Sequence, residues 1–435
     1  MKRFALALLA IVLIAAAGAS WFFFWPAPLE PVAASGAQPT GAALIARGEY
    51  LTRAADCAAC HTAGGGTPFA GGLAFKLPFG TIYSPNITPD AETGIGNWSD
   101  AEFVRALRHG VGRHGEDLYP AFPYTAYALL STDDMLAIKA YLFSLKPVSA
   151  RAPADTLQFP YNQRYALRAW KLLYLPAQPF QPDPGKADAV NRGAYLVEAL
   201  AHCGECHTPR NALFALDDSR KFAGALTQGW KAPDITSDKE GGLGGWSDDD
   251  LAAYLSTGHA QDHGTATGGM AEAVDLSLRH LTPEDIRSVV AYLRTVPPVA
   301  ADSAGDIAVK PAAMAAASAY APSAEEAKAG GLGLRIFQSA CASCHGWDGG
   351  GHQTSYAALR GSRTVNDPAG TNLVNVVLGG ARITTQQGSM FMPSFGKAYS
   401  DTEIAAVSNY VIAHFGGKAG MVSEAQVAAA RANGG

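Results

Sequence analysis

Apolar and polar positions along this chain form two kinds of pattern. The first is a single uncharged run from Phe4 to Trp25, preceded by Lys2 and Arg3. It is long enough to cross a bilayer as one helix, and the aromatic cluster Trp21 to Trp25 suits the headgroup level. Ala17-Gly18-Ala19 also offers the small residues at which signal peptides are cut, so residues 1–26 serve as a retained anchor or a cleaved signal. Under both readings positive-inside logic places everything after Pro26 outside the cytoplasm, in the periplasm of a Gram-negative cell.

The second pattern is a series of short amphipathic segments separated by Gly/Pro-rich loops, and it repeats. "ARGEYLTRAADCAACHT" (Ala46 to Thr62) parallels "NRGAYLVEALAHCGECHT" (Asn191 to Thr208). Downstream, "NITPDAETGIGNWSDAEF" parallels "DITSDKEGGLGGWSDDDL", with Ile87 on Ile235 and Trp98 on Trp246, each 148 residues on. Closing helices are predicted over Met135 to Pro147 and Asp285 to Pro298. A third, more diverged unit runs from "CASCH" to "SDTEIAAVSNYVIAHF". Repetition of this kind implies duplicated domains. The expected layout is domains at 41–150, 187–298 and 324–417, a patterned linker at 151–186, an Ala/Pro linker at 299–323 and a tail at 418–435. The fold class is mainly α, with long loops.

The patterned linker, "FPYNQRYALRAWKLLYLP", sets Arg164, Arg168 and Lys171 on one helical face and covers most of the rest with Tyr165, Leu167, Trp170, Leu172, Leu173 and Tyr174. A basic stripe with bulky aromatics suits a helix at a membrane surface. A bridge between domains with solvated basic residues, or a partner interface, explains the same pattern.

Composition narrows the chemistry. The net charge of -5 gives no reason to expect nucleic-acid binding. An exported chain with six cysteines would ordinarily suggest disulfides. Here all six fall in three CxxCH motifs: Cys57, Cys60 and His61; Cys203, Cys206 and His207; Cys341, Cys344 and His345. That spacing is the attachment signature of c-type haem. Two thiols one helical turn apart reach the two vinyl groups of one porphyrin, and the next histidine offers its imidazole to the iron. A redox dithiol or half a zinc site could account for one copy, but not for three that use every cysteine. Three covalently bound haems c follow.

A second axial ligand, most often methionine, is expected for outer-sphere electron transfer. Seven methionines make the search short. In the third unit Met392 precedes Pro393 in a loop ahead of the closing helix, with Met390 as the fallback. In the second, Met270 is the only methionine between His207 and the closing helix. In the first, the 148-residue offset puts Phe122, in "LYPAFPY", opposite Met270. Met135 lies at the wrong place in the repeat, which leaves His114 and His109 as substitutes.

Together "DCAACHTA", "NITPDAETGIGNWSDAEFVRALRHGVG", "LYPAFPY", "LAIKAYLFSL", "AHCGECHTPRN" and "TNLVNVVLGG" resemble the three-haem cytochrome c subunit of membrane-bound periplasmic dehydrogenases, over most of Arg47 to Phe415. The resemblance implies three tandem class I cytochrome c domains and a carrier role. A catalytic subunit of molybdopterin, PQQ or FAD type, in some complexes with a further small subunit, oxidises an aldehyde, alcohol or sugar acid. The haems relay electrons to ubiquinone at the periplasmic side of the cytoplasmic membrane. Family members commonly show "YPAMPY", so Phe122 departs from the family as well as from the repeat; the phenylalanine form is closer to cytochromes paired with molybdenum hydroxylases. No dinucleotide fingerprint or substrate-activating constellation is present, so the chain is not expected to be an enzyme on its own. The competing functions are a haem enzyme with an open first haem, peroxidase-like or quinol-oxidising, and a cytochrome subunit of a terminal oxidase.

Overall fold

The computed structural model describes residues 2–25, 29–32, 39–299, 331–385 and 388–432. The linker expected at 299–323 lies, but for Val299, outside them. Helix is the dominant element; among the described residues the strands form only two-stranded antiparallel ribbons. The apolar run folds as one helix, Lys2–Phe24, long and apolar enough to cross a membrane.

Each repeat is organised by one helix crossing. The helix ahead of the attachment motif meets the closing helix at a glycine. A Cβ placed on Gly48 would fall 1.9 Å from the Ala137 carbonyl oxygen, and one on Gly193 would fall 1.9 Å from that of Ser288. In the third repeat a Cβ on Gly333 would fall 2.3 Å from the Ala406 oxygen. Beside these contacts stand the Cβ atoms of Tyr141, Tyr292 and Tyr410, at 2.9, 2.7 and 2.8 Å. No other residue fits so close an approach of two backbones. Charge holds the first two crossings: Arg47 pairs with Asp134 and Arg192 with Asp285, each at 2.6 Å.

From Ile87 to Gly110 and from Ile235 to Gly258, the first two repeats match residue for residue. Helices Asp100–His109 and Asp248–Thr257 are capped by Ser99 and Ser247, whose hydroxyls accept from the N–H groups of Glu102 and Asp250. Both end on a left-handed glycine, Gly110 and Gly258. His109 is the last residue of its helix.

Three differences from the sequence reading have local causes. The closing helices begin earlier than expected, at Thr132–Ser144 and Pro283–Leu293, because Ser131 and Thr282 cap them through the N–H groups of Asp134 and Asp285. Residues 418–435 are not a bare tail: Glu424–Ala432 is a helix, Val422 and Val427 complete the third repeat's core, and Arg431 pairs with Asp401 at 2.8 Å. Part of the 151–186 linker packs on the first repeat, where Asp155 accepts from the Tyr83 N–H at 3.0 Å.

By contacts the chain divides into two units, residues 1–186 with Tyr195–His202, and Ala187–Ala194 with Cys203–Gly435. The first has its core at Leu51, Ala54, Leu130, Met135, Ile138 and Leu142. The second unit joins the second and third repeats through polar contacts. Lys231 N–H donates to Asn372 Oδ1 and Asn372 Nδ2 returns a bond to Lys231 O, both at 2.8 Å, and Asn375 Nδ2 donates to Gly229 O. Arg363 donates to the carbonyls of Asp234, at 3.0 Å, and Gly242.

Candidate haem attachment sites

Each CxxCH motif occupies one helical turn: Cys57–His61, then Gly204–His207 and Ala342–His345, each following its first cysteine. The entry to the turn is irregular every time. Asp56 stands in the left-handed region ahead of the first motif, and π-helical turns, Leu196–Leu200 and Phe337–Cys341, lead into the other two. Such widened turns often sit at functional sites. Cys206 and Cys344 are exposed and the other four cysteines half-buried.

Burial, with the Asp56 charge adding to it, pushes the Cys57 thiol up to about 12, and burial pushes Cys341 up to about 11. These are not the low-pKa thiolates of a redox dithiol. Among the described residues no cluster of three or more His, Cys, Asp and Glu is arranged to hold a metal ion.

The three histidines are positioned alike. His61 Nδ1 bonds the Pro85 carbonyl at 2.7 Å, His207 Nδ1 that of Pro233 at 2.7 Å, and His345 Nδ1 that of Ala357 at 2.6 Å. A carbonyl can only accept, so each Nδ1 carries the proton and each Nε2 keeps its lone pair. Burial lowers the pKa of all three imidazoles, which favours the neutral form that binds iron. This donor set fits haem c: two thiols and one oriented, neutral imidazole on a single turn.

The carbonyl partners escaped the sequence reading. What brings them close is a loop that returns to the histidine, where the N–H groups of Gly71, Gly224 and Gly351 donate to the carbonyls of His61, His207 and His345 at 2.8, 2.8 and 2.9 Å. A Cβ on Gly71 would lie 2.5 Å from the Pro85 carbonyl carbon. The detectable signal was the repeated Phe-Ala-Gly, at Phe69 to Gly71 and Phe222 to Gly224, with both phenylalanines at positive φ. Ala357 has no counterpart in that pattern.

On the distal side, Met270 stands half-buried in the first turn of the Gly268–Leu276 helix. Met392 is not in a loop. It ends the strand Gly388–Met392, paired with Ala381, and lines a shallow groove with Gly379, Gly380, Arg382 and Phe391. Met390 pairs with Ile383 and shares the Met392 face of the strand. Phe122 packs on Tyr127 and Tyr124, with ring centroids 5.5 and 6.3 Å away. The Tyr127 hydroxyl donates to Ala55 O at 2.8 Å, just before the first attachment turn. Met135 is fully buried, its sulfur 3.7 Å from an Arg108 nitrogen, and belongs to the core. His109 and His114 are both exposed.

The basic stripe of the linker is neither solvated nor turned to a membrane. Lys171 Nζ lies 2.8 Å from Asp117 Oδ1 and 2.7 Å from the Gly110 carbonyl, while Arg168 Nε lies 3.0 Å from Asp117 Oδ2. Arg164 donates to Asp117 O and pairs with Asp155 at 2.9 Å. Asp117 is buried, so it draws the cations of helix Leu167–Tyr174 inward against the loop that follows Gly110.

These turns define a c-type cytochrome. Comparison with known proteins agrees: the family model for cytochrome c matches residues 45–146 and 190–297, and that for the cbb3-type cytochrome c oxidase subunit III matches residues 329–411. The cytochrome subunit of a fructose dehydrogenase from Gluconobacter japonicus is 41% identical over 94% of this chain and 86% of its own length. The cytochrome c subunit of a gluconate 2-dehydrogenase from Pantoea cypripedii is 37% identical over 86% of each chain. One of the subunits of a nicotinate dehydrogenase from Pseudomonas putida is 39% identical over 89% of this chain but 32% of its own length. The chain belongs to the family of cytochrome c subunits of dehydrogenase complexes, carries covalently bound haem c and serves electron transfer.

Proposed function

We propose that the chain binds three haems c and passes electrons from a catalytic dehydrogenase subunit to ubiquinone, at the periplasmic face of the cytoplasmic membrane. Cys57 and Cys60, Cys203 and Cys206, and Cys341 and Cys344 are the attachment thiols. His61, His207 and His345 are the proximal ligands, with Met270 and Met392 distal on the second and third haems. The observation that carries this reading is the threefold recurrence of an imidazole fixed through Nδ1 beside a CxxC turn. When bound, haem c supplies one-electron exchange at iron. The chain's own part is to orient the imidazoles and hold the cofactors inside packed helices. The anchor is the Lys2–Phe24 helix, and the electron donor is a dehydrogenase of molybdopterin, PQQ or FAD type.

Haem counting tests the assignment. The mature chain should give three haems by the pyridine haemochrome assay, and the double substitution Cys341→Ala and Cys344→Ala should remove covalent attachment of one. A stoichiometry of two in the parent chain would refute it. Purification of the membrane complex should recover a catalytic dehydrogenase subunit; recovery with a terminal oxidase instead would overturn the proposed partner.

Phe122 favours a second reading for the first haem alone, since phenylalanine has no donor atom. Carbon monoxide should bind the reduced chain at one haem, or at none if a histidine substitutes. Binding at all three would sink the Met270 and Met392 assignments. A Phe122→Met variant with an unchanged spectrum would show that this loop does not face the iron.

A further inference from the structure

The linker helix presents an apolar surface where a soluble protein would present a polar one. Tyr165, Ala166, Ala169, Leu172 and Leu173 are its exposed positions, and none carries a charge. Leu172 is 73% exposed and Leu173 68%, with Phe159 at 79% just upstream. The charged positions, Arg164, Arg168 and Lys171, are engaged by Asp155 and Asp117. Its amphipathicity is inverted: cations in, hydrocarbon out.

This surface is continuous with the end of the Lys2–Phe24 helix. The Tyr165 ring packs against Phe24 at 5.2 Å and Phe23 at 6.2 Å. Arg168 donates to the carbonyls of Phe22, at 2.7 Å, and Trp25, groups that a helix C-terminus leaves without partners. The linker helix is therefore held at the level where the apolar helix ends, among its terminal aromatics.

We propose that the exposed face of residues 165–173 is a membrane-interface surface, seated at the headgroup and acyl boundary of the bilayer that the Lys2–Phe24 helix crosses. The occupant is lipid, because the face continues a helix with the length and apolarity of a membrane span. Seating is hydrophobic. The cations that would give affinity for anionic lipid already bond Asp117, Asp155 and backbone carbonyls, so salt and anionic lipid content have little effect. Through the Lys171 and Arg168 bonds to Asp117, this seat also fixes the height of the loop leading to Phe122 above the membrane. The inference rests on the membrane reading of the N-terminal helix.

Photolabelling of the full haem-loaded chain in lipid nanodiscs tests it, with a diazirine probe confined to the acyl region and peptide mass mapping. Label is expected on Lys2–Phe24 and on the peptide holding Leu172 and Leu173, the latter roughly tenfold above the Glu424–Ala432 helix. The signal should be unchanged in high salt or in neutral lipid. The double substitution Leu172→Glu and Leu173→Glu should cut only the second signal, by about tenfold, with the haem spectrum retained. Label on Lys2–Phe24 alone overturns the proposal and leaves the anchor standing. Label on neither peptide overturns the membrane reading itself. If, in the purified complex, the 165–173 peptide escapes lipid label and cross-links to the catalytic subunit, the face is a protein interface and the proposal fails.

Discussion

Removing the Asp117 carboxylate should unlock the linker helix from the first unit, and the structure sets the size of the effect. Asp117 accepts from Lys171 at 2.8 Å and Arg168 at 3.0 Å, with its side chain 5% exposed and that of Lys171 9% exposed. In Asp117→Ala the Lys171 ammonium keeps only the Gly110 carbonyl and the face of the Tyr124 ring, 5.2 Å away. An unpaired buried charge costs about 3–5 kcal/mol. For a unit of this size that is a fall of about 6–20 °C in Tm. Lys171→Met on the same background removes the stranded charge and should restore most of the loss, since an apolar pair is often neutral relative to a buried ion pair. Burial already lowers the Lys171 pKa, against the pull of Asp117. Without Asp117 it falls further. A base whose folded pKa lies below its unfolded value makes stability rise with pH between the two values, so the deficit of Asp117→Ala should shrink toward the ordinary lysine range. Calorimetry of the full haem-loaded chain across pH measures all three. A single-variant loss below about 0.5 kcal/mol, or a double variant no better than the single, refutes the reasoning.

Three further outcomes are expected. Gly333→Ala should lose about 3 kcal/mol in urea unfolding, because its Cβ would meet the Ala406 carbonyl at 2.3 Å, whereas Gly64→Ala, with open space around it, should be neutral. Met270→Ala and Met392→Ala should each abolish one methionine-to-iron charge-transfer band and lower one midpoint potential in a redox titration, while Met390→Ala changes neither. Arg363→Gln should lower the midpoint potential of the second haem. Burial lowers the His207 pKa against the Pro233 bond, and the Arg363 charge adds to it, so this guanidinium disfavours positive charge at that site.

The attachment chemistry was legible in the sequence because covalent spacing fixes it: CxxCH reads the same in any surroundings. The duplication was legible too, since caps such as Ser99 and Ser247 and stops such as Gly110 and Gly258 are local signals. Orientation was not. The stripe Arg164, Arg168 and Lys171 shows which residues share a helix face but not which way it turns. Asp117, 47 residues before Arg164, decides that by being buried. Met392 reads as loop in the sequence because Pro393 ends its strand and the partner segment, Ala381–Thr385, has no strong strand pattern. The Gly333 crossing was hidden by divergence around it, although Gly48 and Gly193 stand in visibly repeated segments.

Those glycine crossings also set a clock. Each first helix meets its closing helix about 70–95 residues later in the chain, which at roughly 5–20 residues per second of synthesis is about 4–19 s. During that interval a CxxCH turn exists without its latch, and both thiols are open to covalent chemistry. The first pair, Gly48 and its closing helix, is synthesised before Gly193. In the order of synthesis, each CxxCH turn is complete well before the helix that closes over it.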